Sequence, residues 1–126
     1  MCGIVGILNN GSGINQATLM RMRDSFNYRG PDDAGVWVDQ QAGVGFGHRR
    51  LSIIDPTPSG HQPMIDKQSG NVLTYNGEVY NYLEIRAQLE KGGFKFDTAT
   101  DSEVILKAYS AYGVDCVKHF NGMFAF

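Results

Sequence analysis

Directly behind Cys2 runs GIVGIL, residues 3–8, an unbroken stretch of apolar residues and glycine that stops at Asn9-Asn10-Gly11. A short apolar run closed by turn-forming residues predicts a buried strand, and so a sheet that begins almost at the first residue of the chain. Cys2 then sits at the tip of that strand, where it is either a small buried thiol, as free cysteine commonly is, or a catalytic amino terminus.

The later segments predict more sheet with helices set into it. Leu19, Met22 and Phe26 fall on one helix face within 16–28, stopped by Gly30-Pro31. AGVWV (34–38) and VGFGH (43–47), separated by Asp39-Gln40-Gln41, predict a hairpin, which LSII (51–54) would extend. Residues 55–63 hold three of the four prolines and predict loop. NVLTY (71–75) and FKFD (94–97) read as strands. One helix face carries Tyr82, Ile85 and Leu89 and ends at Gly92-Gly93; another carries Ile105, Ala108, Tyr109 and Tyr112 and ends at Gly113. Thr100 with Glu103 is a capping-box pattern that puts Asp101 on the first helical turn, near the exposed amides. The chain finishes on Met123-Phe124-Ala125-Phe126, apolar where chain ends are usually polar, so the expectation is a truncated domain.

Composition limits the function classes. A chain of 126 residues, 42% hydrophobic and 19% charged, suits one globular domain with a real core and is not disordered. A net charge of −2 gives no pull on nucleic acid or anionic lipid, and no stretch is long enough to span a membrane. Sixteen glycines predict tight turns and close approaches. Two thiols and no signal-peptide pattern make the cytoplasm the expected location.

With the initiator methionine removed, Cys2 would carry a nucleophilic thiol and a free α-amine on one residue. An α-amine of reference pKa roughly 7.7–8.0 can take the thiol proton near neutrality, directly or through a water. Myristoylation would need Gly at position 2.

In order, the chain contains MCGIVGI, YRGPDDAG (28–35), GHRRLSIID (47–55), GHQPM (60–64), YNGEVYNY (75–82) and TDSEVIL (100–106). This set resembles the class II, N-terminal-nucleophile glutamine amidotransferases, and within them the asparagine synthetase branch, over nearly the whole chain. The resemblance implies that Cys2 attacks the side-chain amide carbon of glutamine while Asn76 and Gly77 form the oxyanion hole. Arg50 would grip the α-carboxylate and Asp101 the α-ammonium, with Glu78 a second acidic or amide-binding contact. Arg29 would support the nucleophile from behind, and Arg49 is less suited than Arg50. Taken alone, Asn76-Gly77 is also the pattern of a type I′ hairpin turn, Arg50 a solvated arginine, Asp101 a first-turn helix acid and Glu78 an exposed turn carboxylate. His48, His61 and His119 make no metal-ligand spacing with a cysteine, so no metal is expected; they read as structural or surface residues, and Cys116 as a buried thiol.

The resemblance further implies an α+β fold, the four-layer αββα sandwich of the N-terminal-nucleophile (Ntn) hydrolases, with two stacked antiparallel sheets. Residues 1–126 would be the N-terminal glutaminase domain, incomplete because MFAF matches a strand that normally continues, and with the synthetase domain absent. No cofactor is expected in this domain; ATP and magnesium belong to the missing one. The expected partners are glutamine and that synthetase domain, with no nucleic acid and no membrane, and a homodimer is left open. The alternative is a catalytically inactive glutamine-binding or scaffold fragment. A retained Met1 would leave Cys2 with an amide nitrogen in place of a basic amine, and an inactive chain.

Overall fold

The computed structural model describes residues 1–10 and 13–126. Gly11, the end of the turn predicted behind the first strand, lies outside the described residues.

Strands β1 (Gly3–Leu8), β2 (Asp33–Asp39) and β3 (Val44–Arg50) form an antiparallel sheet in the order β1-β3-β2. The predicted hairpin is β2–β3, and its turn is closed by the Asp39 carboxylate, which accepts from the amides of Gln41 and Ala42. Trp37 stacks on its cross-strand partner Phe46 with ring centroids 5.6 Å apart. Contrary to expectation, β1 is an edge strand and only partly buried, with Leu8 73% exposed.

Helix α1 (Gln16–Asp24) packs on this sheet, its first turn capped by Asn15 Oδ1, which accepts from Thr18 N at 2.9 Å. The helix is shorter than predicted, and Asn27–Arg29 form a separate 3₁₀ turn. Leu19 is buried as expected, but Arg23 rather than Met22 follows it inward. Close approach is possible because β3 offers glycine here: a Cβ at Gly45 would lie 3.0 Å from Ile14 and Leu19, and one at Gly47 would lie 3.2 Å from Arg23. Side chains alternate along a strand, so Phe46, His48 and Arg50 face away from α1.

The second half contains β4 (Met64–Ile65) paired with β5 (Val72–Leu73), and β6 (Asn76–Val79) paired with β7 (Gly122–Ala125), both antiparallel. Helices α2 (Tyr82–Lys91) and α3 (Asp101–Tyr112) pack on each other and enclose a core with Leu73, Tyr75 and Val79. Asp101–Ala108 of α3 are all buried, so this helix is enclosed on every side through its first two turns, and Tyr109 and Tyr112 point outward instead of into the predicted face. Lys107 ends on Asp66 at 2.8 Å, a buried pair that ties α3 to the β4–β5 connection. The two halves meet where Thr74 Oγ1 donates to Gly47 O at 3.5 Å and His48 Nε2 lies 2.9 Å from Tyr75 O. Among the described residues no helix is long and apolar enough to cross a membrane.

Three predicted strands are absent or shortened, in each case beside a main-chain amide taken by a side chain. The Leu51 amide donates to Cys2 Sγ, so LSII leaves the sheet. The amides of Asp97 and Thr98 donate to the Glu103 carboxylate at 2.6–3.1 Å, so FKFD is no strand. The Tyr75 amide donates to Gln62 Oε1 at 2.7 Å, and NVLTY contracts to β5. Glu103 also corrects the capping box: Thr100 Oγ1 accepts from Glu103 N at 3.2 Å, but the return bond is replaced by these loop amides.

Candidate active site

Strand register brings the first two predicted site residues together. Gly3 pairs with Arg49, so one further antiparallel step sets Cys2 opposite Arg50, on the sheet face directed away from α1. Cys2 Sγ receives the Leu51 amide at 3.3 Å, and the Cys2 carbonyl accepts from Arg29 Nε at 3.0 Å. Arg29 thus holds the main chain of Cys2 and not its thiol. The same alternation sends Arg49 to the other face, where it pairs with Asp24 at 3.2 Å.

Arg50 is buried, and the loop after it holds its guanidinium in place. Nη1 donates to Thr57 O at 2.8 Å and Nη2 donates to Asp55 O. A guanidinium has five N–H donors, so capacity remains for an anion. Gly60 makes this possible, since a Cβ there would overlap the guanidinium.

Across the cavity, Asn76 and Gly77 lie in strand β6 and not in a hairpin turn. A Cβ at Gly77 would overlap Met123 O and Phe124 Cα of β7, so only glycine lets the strands pair here. The Asn76 side chain makes no hydrogen bond among the described residues. Asp101 opens α3, where the helix dipole favours a carboxylate. Its Oδ2 accepts from Tyr75 Oη at 2.7 Å and from Val79 N at 3.4 Å. Cys2, Arg50, Asn76, Gly77, Glu78 and Asp101 all line one cavity of about 400 Å³. All six residues singled out from the sequence are thus neighbours.

Four further residues here lie inside the motifs GHRRLSIID, GHQPM and YNGEVYNY, but short motifs alone give them no place in the site. Leu51 contributes only its main chain. His48, Gln62 and Tyr75 form a buried brace beneath the cavity: Gln62 takes the Tyr75 amide and donates to Ser102 Oγ at 3.3 Å, while His48 meets the Tyr75 carbonyl. The signal for His48 was available, because in β3 it shares a face with Arg50. His61 pairs with Asp33 at 2.7 Å near the surface, His119 stacks on Tyr112 at 4.3 Å, and Cys116 is buried, which raises its thiol pKa. Among the described residues no cluster of histidine, cysteine or carboxylate is arranged to hold a metal ion.

A carbonyl only accepts, so His48 Nε2 carries the proton of the neutral ring, and Nδ1 is buried without a partner. Burial holds this imidazole down at about 4, against 6.5 normally, although the Tyr75 carbonyl pulls the other way. Between those two values the unfolded chain binds a proton that the folded chain refuses, so stability is full above pH 6.5 and falls towards pH 4. The expected loss is about 3 kcal/mol. Urea unfolding of wild type and His48→Gln at pH 7 and pH 4.5 checks this: the variant should lose markedly less stability on acidification, and equal losses would refute it.

The glutamine amidotransferase domain model matches residues 1–126. A Methanocaldococcus jannaschii relative is 41% identical over 142 residues, covering 100% of this chain and 27% of its own length. Asparagine synthetase (glutamine-hydrolysing) 3 of Bacillus subtilis is 42% identical over 130 residues, covering 100% of this chain and 21% of its own length. Asparagine synthetase (glutamine-hydrolysing) 2 of Oryza sativa subsp. japonica is 39% identical, again over 100% of this chain and 21% of its own length. The chain spans roughly a fifth to a quarter of these relatives. With a match that runs from the first residue to the last, through every residue of the cavity just described, the chain belongs to the glutamine amidotransferase domain family.

Proposed function

We propose that this cavity hydrolyses the side-chain amide of glutamine, with Cys2 as nucleophile once Met1 has been removed. The observation that carries the proposal is the convergence of Cys2, Arg50, Asn76, Gly77, Glu78 and Asp101 on one cavity of about 400 Å³. The Cys2 thiol gives its proton to the α-amine of the same residue, and the thiolate attacks the amide carbon. The Asn76 side-chain amide and the Gly77 main-chain amide take the charge of the tetrahedral oxyanion. The amine returns its proton to the departing nitrogen, ammonia leaves, and a thioester remains that water cleaves to glutamate. Arg50 binds the α-carboxylate through its uncommitted donors, Asp101 binds the α-ammonium, and Glu78 is the second acidic contact.

Residues 1–126 would then be the glutaminase domain of an asparagine synthetase-like protein in the cytoplasm, a setting that suits two free thiols. Ammonia would pass to a synthetase domain, to which ATP and magnesium belong. The finer architecture we propose is the four-layer αββα sandwich; α1 on one face of the first sheet, and His48 reaching the Tyr75 segment from the other, support it.

A glutamine-mimicking electrophile tests the reading on the intact protein. Mass spectrometry should find one adduct on a chain that has lost Met1, mapped to Cys2 and blocked by excess glutamine. A folded sample without Met1 that takes up no label would favour a glutamine-binding or scaffold module instead.

A further inference from the structure

Tyr75 is bonded to Asp101 of the proposed recognition machinery and adjoins Asn76 of the proposed oxyanion hole, without being assigned to either. It directly precedes Asn76, and every polar group it owns is engaged: the amide donates to Gln62 Oε1 at 2.7 Å, the carbonyl lies 2.9 Å from His48 Nε2, and the hydroxyl donates to Asp101 Oδ2 at 2.7 Å. It is buried, as are His48, Gln62 and Asp101. Oδ2 of Asp101 takes both the Tyr75 hydroxyl and the Val79 amide, whereas Oδ1 accepts no hydrogen bond among the described residues. Burial, reinforced by the neighbouring Asp101 charge, raises the Tyr75 phenol pKa far above its ordinary value, so this group is a permanent donor.

We infer that Tyr75 is a positioning residue for substrate selection: its hydroxyl pins Oδ2 of Asp101 so that Oδ1 is presented to the α-ammonium of the amino acid in the cavity. The inference rests on the glutamine reading above and deepens it. A carboxylate tethered at one oxygen loses less freedom on binding a cation than a free one, and a donor on Oδ2 keeps Oδ1 as the uncommitted acceptor. Without the hydroxyl, Asp101 can rotate or turn both oxygens away, and discrimination for the ammonium weakens while the carboxylate and amide ends of the ligand are still held. Gln62 and His48 anchor the Tyr75 main chain, so the ring cannot follow Asp101.

Tyr75→Phe keeps the ring and removes only the hydroxyl. In a Cys2→Ala background, where nothing turns over, calorimetry reads the affinity for glutamine and for 4-carbamoylbutanoate, which is glutamine without its α-amino group. The expected result is a glutamine Kd raised about tenfold with the 4-carbamoylbutanoate Kd unchanged, the size of one lost charge-assisted hydrogen bond. With Cys2 present, the same substitution should raise KM about tenfold and leave kcat within about twofold. General loosening of the fold would weaken both ligands alike, and a Kd ratio does not depend on how much of the sample is folded. An unchanged glutamine Kd, or equal weakening of both ligands, overturns the role of Tyr75 and leaves the glutamine reading intact. If the Cys2→Ala protein binds neither ligand and the wild type releases no glutamate, the glutamine reading fails and the inference falls with it.

Discussion

Cys2→Ala is expected to suppress glutamate release from glutamine by a factor on the order of 10⁴ or more, because it removes the thiol proposed to form the thioester. The substitution takes away one sulfur and little else. Arg29 holds the Cys2 carbonyl rather than its side chain, and the Leu51 amide that donates to Sγ at 3.3 Å lies at a half-exposed position where water can replace the sulfur. Arg50 stays fixed by Thr57 O and Asp55 O, and Asp101 by Tyr75, so the groups proposed to bind the carboxylate and the ammonium stay in place. The variant should bind glutamine within about threefold of wild type and fail in chemistry alone, the signature of a group that acts only after binding. A coupled glutamate assay alongside calorimetry separates the two quantities. Wild-type turnover by the Ala variant would remove Cys2 from the mechanism; loss of binding would make it a structural thiol.

Much of this site is written into the order of residues, and the part that is not has a common cause. The strand at GIVGIL and the β2–β3 hairpin follow from local pattern, and together they fix Cys2 beside Arg50 through register. Period-two alternation alone separates Arg50 from Arg49 and pairs it with His48. What the pattern could not supply is the destination of amides captured from a distance: Leu51 by Cys2, 49 residues away, and Tyr75 by the Gln62 side chain, 13 residues away. Strand propensity in LSII and NVLTY is a local quantity, and these long-range acceptors override it. The burial of Asp101–Ala108 is similar, because the residues that meet its polar side chains, Tyr75, Gln62 and Asp66, lie 26, 40 and 41 residues earlier in the chain than their partners. Asn76-Gly77 is the sharpest case. The dipeptide favours a hairpin turn, yet it lies in a strand because β7 passes so close to Gly77 that no side chain fits between them.

That strand geometry sets the expectation for Asn76→Ala: kcat for glutamine hydrolysis should fall about 10²- to 10³-fold, as when one oxyanion donor is removed elsewhere, with KM within about threefold of wild type. The Asn76 side chain is half-buried, lines the cavity, and has no partner among the described residues, so its loss strands no donor or acceptor inside the protein. Thermal stability should therefore move little, which separates this variant from Gly77→Ala, where a methyl group would push β7 away and disturb Met123 and Phe124 along the cavity wall. The oxyanion exists only after attack, so a donor aimed at it stabilises the transition state and not the bound ground state. Steady-state kinetics with a melting curve on the same preparation decide the matter. A fall in kcat with unchanged KM and melting temperature assigns the amide to the oxyanion. A loss carried wholly by KM would place Asn76 with the groups that hold the substrate, and the Gly77 main-chain amide would be left to carry the oxyanion without it.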